Sequence, residues 1–162
     1  MDSFFLTITW LGSLYLLLPL SALFCLLLIW YGRIEEAVLI SLSLGLTIIS
    51  VHVAKLIFRR PRPAIIEMLV TMPSDWSFPS AHTAQITAFF LALTLISMRG
   101  LPPFWATLVT LTSLLLVGIV GYSRIYLQVH YISDVLAGMA LAVIIVFAVQ
   151  VIVPHLPWFH LK

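Results

Sequence analysis

The chain has 162 residues, of which 62% are hydrophobic and 9% charged, with a mean hydropathy of +1.16 and a formal net charge of +2. That composition excludes a water-soluble domain of this size, and the small, locally clustered positive charge offers no basic face for nucleic acid. The single cysteine, Cys25, excludes an intramolecular disulfide and a cysteine-based metal cluster.

Crossing a hydrocarbon core takes about 20 consecutive apolar residues. Five uncharged or nearly uncharged runs of that order follow one another: Thr9–Trp30, Ala37–Phe58, Ser80–Met98, Pro103–Gly121 and Val135–Val153. They predict an all-α integral membrane bundle of about five transmembrane helices, forming a single domain over residues 1–162. Ser3–Thr7 is expected to lie along the interface before the chain turns inward. No basic region precedes the first run and no small-residue cleavage site stands out before Arg33, so this run is expected to be retained as a span.

Counting five crossings puts the N-terminus, the Arg59–Pro79 loop and the Tyr122–Asp134 loop on one face. Lys55, Arg59, Arg60, Arg62, His82, Arg124, His130 and Asp134 then gather around the helix ends there. Arg33, Glu35, Glu36, Arg99 and Lys162 fall on the other face. Taken literally, the positive-inside rule makes the first face cytoplasmic. With Lys55, Arg62 and Arg124 set aside as anion ligands, Arg59 and Arg60 stand against Arg33, Arg99 and Lys162, a near tie.

Three segments carry chemistry. In the run from Lys55 to Pro63, a lysine at a helix end is followed by Arg62 held between Pro61 and Pro63. Each proline restricts the residue before it to extended backbone, so Arg60 and Arg62 leave the helix. Lys55 offers a point charge, and the Arg62 guanidinium grips two oxygens of a phosphate at once. The same cluster also suits a juxtamembrane patch that meets lipid headgroups.

The second segment, Ser77-Phe78-Pro79-Ser80-Ala81-His82, stands immediately before the third run. A helix beginning there leaves its first amides unpaired, and with the positive end of the helix dipole they form an anion site. His82, in the first turn, is placed to exchange a proton with a bound anion or its leaving group. An ordinary capped helix with an interfacial histidine has the same sequence. The third segment runs from Ser123-Arg124 to His130 and Asp134. At a spacing of four, a helix brings the carboxylate onto the face of the imidazole, where it can hold one ring nitrogen and leave the other free as a nucleophile. Asp134 could equally cap the last helix.

Together the segments resemble the signature of the type 2 phosphatidic acid phosphatase (PAP2) superfamily. That signature has a lysine and Arg-Pro with six residues between, then Pro-Ser-Gly-His, then Ser-Arg, a histidine after five residues and an aspartate after three more. Lys55 with Arg62-Pro63, and Ser123-Arg124 with His130 and Asp134, keep the spacing, while Ala81 stands where the family usually has glycine. The resemblance covers Lys55 to Asp134 and the helices that carry them. Members usually have six spans, so the missing one places this N-terminus on the active-site face.

The resemblance implies a metal-independent membrane lipid phosphatase without cofactor. His130 would attack phosphorus, Asp134 would orient it, and His82 would protonate the leaving oxygen and then activate water. Lys55, Arg62, Ser80, the Ala81 amide and Arg124 would hold the phosphoryl oxygens. The implied substrates are lipid phosphates in the bilayer: a polyprenyl pyrophosphate, phosphatidylglycerol phosphate or phosphatidic acid. The implied place is a prokaryotic cell membrane, with the site on the outer side. A non-enzymatic anion- or headgroup-binding membrane protein is the rival reading. A vanadate-dependent haloperoxidase shares the pattern but belongs to soluble proteins.

Other polar residues invite blander readings. His52 lies one turn before Lys55 and fits either the same cavity or a helix–helix contact. Trp30, Tyr31, His155, Trp158, Phe159 and His160 fit interfacial belts, and Glu67, Asp75 and Trp76 are expected to shape the approach to the site.

Overall fold

The computed structural model describes residues 2–63 and 73–155; Glu67, Trp158, Phe159, His160 and Lys162 lie outside them. Its elements are α1 (Asp2–Ile8), a 3-10 turn (Thr9–Gly12), α2 (Leu14–Trp30), α3 (Ile34–Phe58), α4 (Ala81–Gly100), α5 (Pro103–Tyr126), α6 (Ile132–Ile152) and a last 3-10 turn (Val153–His155). Among the described residues there is no strand, as expected for a chain that must satisfy its backbone within each spanning segment.

Four helices are long and apolar enough to cross a membrane, and a fifth span is completed if Asp2–Gly12 and Leu14–Trp30 count as one element bent by 44°. The protein is therefore a multi-pass membrane bundle, with one correction to the expected spans. The first is broken, and its long helix begins at Leu14 rather than Thr9. Ser13 adopts extended backbone and its hydroxyl accepts from the Tyr15 amide, so a new helix starts at Leu14 and Thr9–Gly12 belongs to the segment that turns away. Two other ends also move. α5 continues past Gly121 to include Arg124, and α6 starts at Ile132 rather than Val135, so Asp134 lies in its first turn.

α4 is the central element, packed against α3, α5 and α6. Ala84 and Ala88 let α6 approach through Ala142 and Val146, the small-residue contact that substitutes for hydrophobic driving force in lipid. Gly138 is the tightest point: a Cβ there would come within 2.7 Å of the Ser80 carbonyl. Larger side chains, Leu17, Ile40, Leu44, Ile86, Phe89 and Val120, fill the middle of the bundle. α5 turns Leu108, Leu111, Leu114 and Leu115 outward, where lipid takes the place of a partner helix. Clamping the start of α4 between α3, α5 and α6 brings all three motif segments to one end of the bundle.

Candidate active site

Lys55 closes the last turn of α3, and Arg59 ends the helix in left-handed backbone, φ 44°. Beyond it the two prolines keep the chain extended, so residues two apart share a face. Arg60 and Arg62 both turn into the bundle end, whereas Arg59 is exposed and donates only to the Leu56 carbonyl. Lys55 is buried, donates to the Trp76 carbonyl and lies 2.9 Å from Asp75 Oδ2. Arg62 pairs with Asp75 Oδ1, donates from Nε to the Asp75 carbonyl at 3.0 Å, and donates from Nη1 to the Val129 carbonyl at 2.8 Å. The same Nη1 stands 3.3 Å from His130 Nε2.

The second segment meets the third at the mouth of α4. Ser80 is the N-cap; its amide donates to the Asp134 carbonyl at 3.0 Å, and its hydroxyl is 3.0 Å from Thr83 Oγ1 rather than capping the helix. Among the described residues no backbone carbonyl outside the helix accepts from the amides of Ala81 and His82, so the first turn presents free donors. One of those donors is the amide of Ala81, at the position where the family usually has glycine. His82 and Arg124 wall one cavity of about 300 Å³ together with Val129. Arg124 is buried, donates from Nη1 to Thr9 Oγ1 at 2.6 Å, and leaves Nε without a partner.

His130 is buried in the turn between α5 and α6, which Gln128 reverses at φ 57°. It precedes the helix, so the pairing with Asp134 does not arise from two residues on one helix, as the spacing suggested. The contact nevertheless forms, with Nδ1 at 3.5 Å from Asp134 Oδ2. Asp134 is wholly buried and accepts from the Tyr131 amide at 2.9 Å, from the Ser77 hydroxyl, and from Arg60 Nη1 at 2.7 Å. Arg60 also reaches Ser133 Oγ at 2.7 Å and stacks over the Tyr131 ring at 4.1 Å.

The contacts assign the imidazole tautomer. A guanidinium can only donate, so Nε2 beside Arg62 carries the lone pair and Nδ1 carries the proton, facing Asp134. Burial, aided by Arg124, Arg62 and Lys55 and opposed by Asp134, drops the imidazole from the ordinary histidine range to about 4. Nε2 is therefore a free base at neutral pH. In a spectrum of histidine-labelled protein the His130 ring is expected to stay neutral from pH 8 down through pH 5 and titrate near 4. A midpoint near the ordinary value would mean that the ring is hydrated and not enclosed by these cations.

Of the predicted site residues, Lys55, Arg62, His130 and Asp134 form one connected network, with Ser80 bonded to it through its amide. His82 and Arg124 flank it across the smaller cavity. His52 is exposed and takes no part. Four residues had no predicted role as direct participants: Arg60, Ser77, Thr9 and Asp75. Arg60 was legible, since extended backbone puts it on the face of Arg62. Ser77 and Thr9 carry no comparable local signal.

Asp75 is the largest departure. Burial raises its pKa, but hydrogen bonds from Lys55 and Arg62 outweigh that and hold it below the usual carboxylate range, so it is an anion at neutral pH. It occupies the two cations that a phosphate needs. Asp75→Asn is expected to lower KM and tighten inhibition by orthovanadate about fivefold, the equivalent of about 1 kcal/mol for one half-exposed charge pair. A raised KM would show instead that Asp75 holds the cations in place.

The PAP2 superfamily model matches residues 36–158. Phosphatidylglycerophosphatase B of Bacillus subtilis is 28% identical over 145 residues, covering 88% of this chain and 70% of that protein. An undecaprenyl-diphosphatase of Sulfolobus acidocaldarius is 29% identical over 134 residues, covering 80% of this chain and 60% of the relative. The crystal structure of a transmembrane PAP2 type phosphatidylglycerolphosphate phosphatase from Bacillus subtilis superposes with a TM-score of 0.86 at 28% identity, covering 98% of this chain and 79% of that one.

Proposed function

The chain belongs to the PAP2 superfamily, and from that premise we propose that it hydrolyses a lipid phosphate or pyrophosphate through a phosphohistidine on His130. The observation that carries this reading is the buried imidazole whose two nitrogens have different partners: a carboxylate behind and an arginine in front. A mere anion-binding loop needs cations but no oriented base among them.

In the first step Nε2 of His130 bonds to phosphorus as the bond to the leaving oxygen breaks, and His82, protonated beside the negative charge of the bound phosphate, gives that oxygen its proton. The Nδ1 proton stays in place, and the positive charge arising on the ring is met by Asp134, itself fixed by Arg60, Ser77 and the Tyr131 amide. Lys55, Arg62, Arg124 and the first-turn amides of α4 meet the charge on the phosphoryl oxygens, released from Asp75 as the phosphate takes its place. In the second step neutral His82 takes a proton from water, the hydroxide displaces His130 from phosphorus, and phosphate leaves. None of these steps uses a metal. Among the described residues no group of three or more His, Cys, Asp or Glu is placed to hold one.

A site at the end of a membrane bundle suits a substrate whose phosphate is polar and whose remainder is lipid. The relatives are named for phosphatidylglycerophosphate and undecaprenyl diphosphate. Phosphatidylglycerol phosphate and a polyprenyl pyrophosphate are accordingly the first candidates here, with phosphatidic acid third. We place the whole chain in one domain of a prokaryotic cell membrane, with the site facing outward. Purified protein in detergent with EDTA, screened for phosphate release from these three lipid classes, tests the activity. Release from at least one supports it, and silence on all three from folded protein favours the headgroup-binding alternative.

A further inference from the structure

Two cavities open at this end of the bundle, one lined by His130 and the other by His82. The larger, about 740 Å³, is bordered by His130 itself together with Arg60, Tyr131, Ser133 and Leu136. Arg60 and Tyr131 are also the residues that fix Asp134, so this cavity lies along the carboxylate edge of the imidazole. The smaller, about 300 Å³, is lined by His82, Arg124 and Val129 together with Leu6, Thr9 and Trp10. Phosphoryl transfer runs with attacking and leaving oxygens or nitrogens roughly in line, so the leaving group departs from the side of phosphorus opposite Nε2. The acid that protonates it must stand there. That acid is His82, and His82 borders the smaller cavity alone.

We propose that the segment Asp2–Tyr15 forms the leaving-group pocket, with Leu6 and Trp10 selecting the lipid portion next to the phosphate and Thr9 positioning Arg124. This rests on the phosphatase reading. Three observations carry it apart from the cavity itself. Thr9 accepts from Arg124 Nη1 at 2.6 Å, tying the segment to a cation of the site. Gly12 packs so closely on the start of α4 that a Cβ would lie 2.9 Å from the His82 carbonyl, which fixes the segment over the acid. Phe5 stacks at 4.1 Å on Tyr126, and the Tyr126 hydroxyl donates to Asp2 at 2.7 Å, anchoring α1 to the end of α5. The segment also precedes residue 36, where the match to the superfamily begins.

The test compares kcat/KM for p-nitrophenyl phosphate, a phosphatidic acid and a polyprenyl pyrophosphate in detergent with EDTA. Trp10→Ala and Leu6→Ala are expected to shift the ratio of lipid to nitrophenyl substrate by about tenfold or more, the usual worth of a lost apolar contact. Leu136→Trp, which fills the larger cavity, is expected to leave that ratio unchanged. Thr9→Val is expected to lower kcat/KM on all three substrates, with recovery in Thr9→Ser, which restores the acceptor for Arg124. A ratio unmoved by the Trp10 and Leu6 changes but moved by Leu136→Trp would transfer the leaving group to the larger cavity and overturn the inference while the phosphatase reading stands. No release from any substrate by wild-type protein would overturn both. Trp10 is more than half exposed, so its truncation spares the bundle, and melting curves in detergent confirm folding of each variant.

Discussion

His130→Ala is expected to lower phosphate release by about 10⁴-fold or more, with the folded bundle and its affinity for orthovanadate largely kept. The magnitude follows from what is removed. Lys55, Arg62 and Arg124 remain to bind the anion, so KM changes little, but no other side chain in the network presents a neutral base to phosphorus. His130 has no charge at neutral pH, so its loss does not unbalance the ion pairs of Lys55, Arg62 and Asp75. The check is phosphate release from a lipid phosphate with EDTA present, beside a binding curve for orthovanadate. Equal activity in variant and wild type would remove His130 from the reaction.

The second large effect concerns His82. His82→Asn is expected to cost about 10²–10⁴-fold on an alkyl phosphate, whose leaving oxygen must be protonated as it departs. On p-nitrophenyl phosphate, whose leaving oxygen is stable as an anion, the first step needs little help and the loss should appear in hydrolysis of the intermediate instead. Pre-steady-state release of nitrophenol followed by slow phosphate release is the signature. Equal losses on both substrates, without that burst, would assign His82 to binding rather than proton transfer.

How much of this was legible in the sequence depends on the range of the forces involved. The bundle followed from hydropathy, because each span must be apolar by itself and no knowledge of its neighbours is needed. Counting crossings brought Lys55, Arg62, His82, Arg124, His130 and Asp134 to one end, and they meet there. What failed was geometry set by the tertiary structure. The contact of His130 with Asp134 was expected on a helix and instead joins a turn to a helix start. Thr9–Gly12 looked like membrane-spanning chain because it is apolar, yet it turns aside at Ser13 to cover His82. Hydropathy does not distinguish a residue facing lipid from one facing a cavity.

The charges show the same division. Arg60 was set aside as a topological charge, although the alternation of extended backbone already placed it with Arg62, and it proves to fix Asp134. Asp75 was expected at the approach to the site but not as the partner of its cations. It stands thirteen positions after Arg62 in the sequence, and only the tertiary structure seats its carboxylate between Lys55 and Arg62. Asp75 pairs with two buried cations at once, Lys55 and Arg62, and offsets part of the cost of burying them. The sequence shows the cations, but the anion that satisfies them is a property of the fold.

The central claim is that His130 carries the phosphoryl group. The measurement that reaches it most directly is rapid acid-free quenching of protein mixed with a substrate labelled in its phosphate, followed by peptide mapping. The account predicts label on His130, stable to alkali, lost on acid treatment, and accumulating further in His82→Asn with p-nitrophenyl phosphate. Label that goes straight to water in an active enzyme, or that persists in His130→Ala, would contradict it.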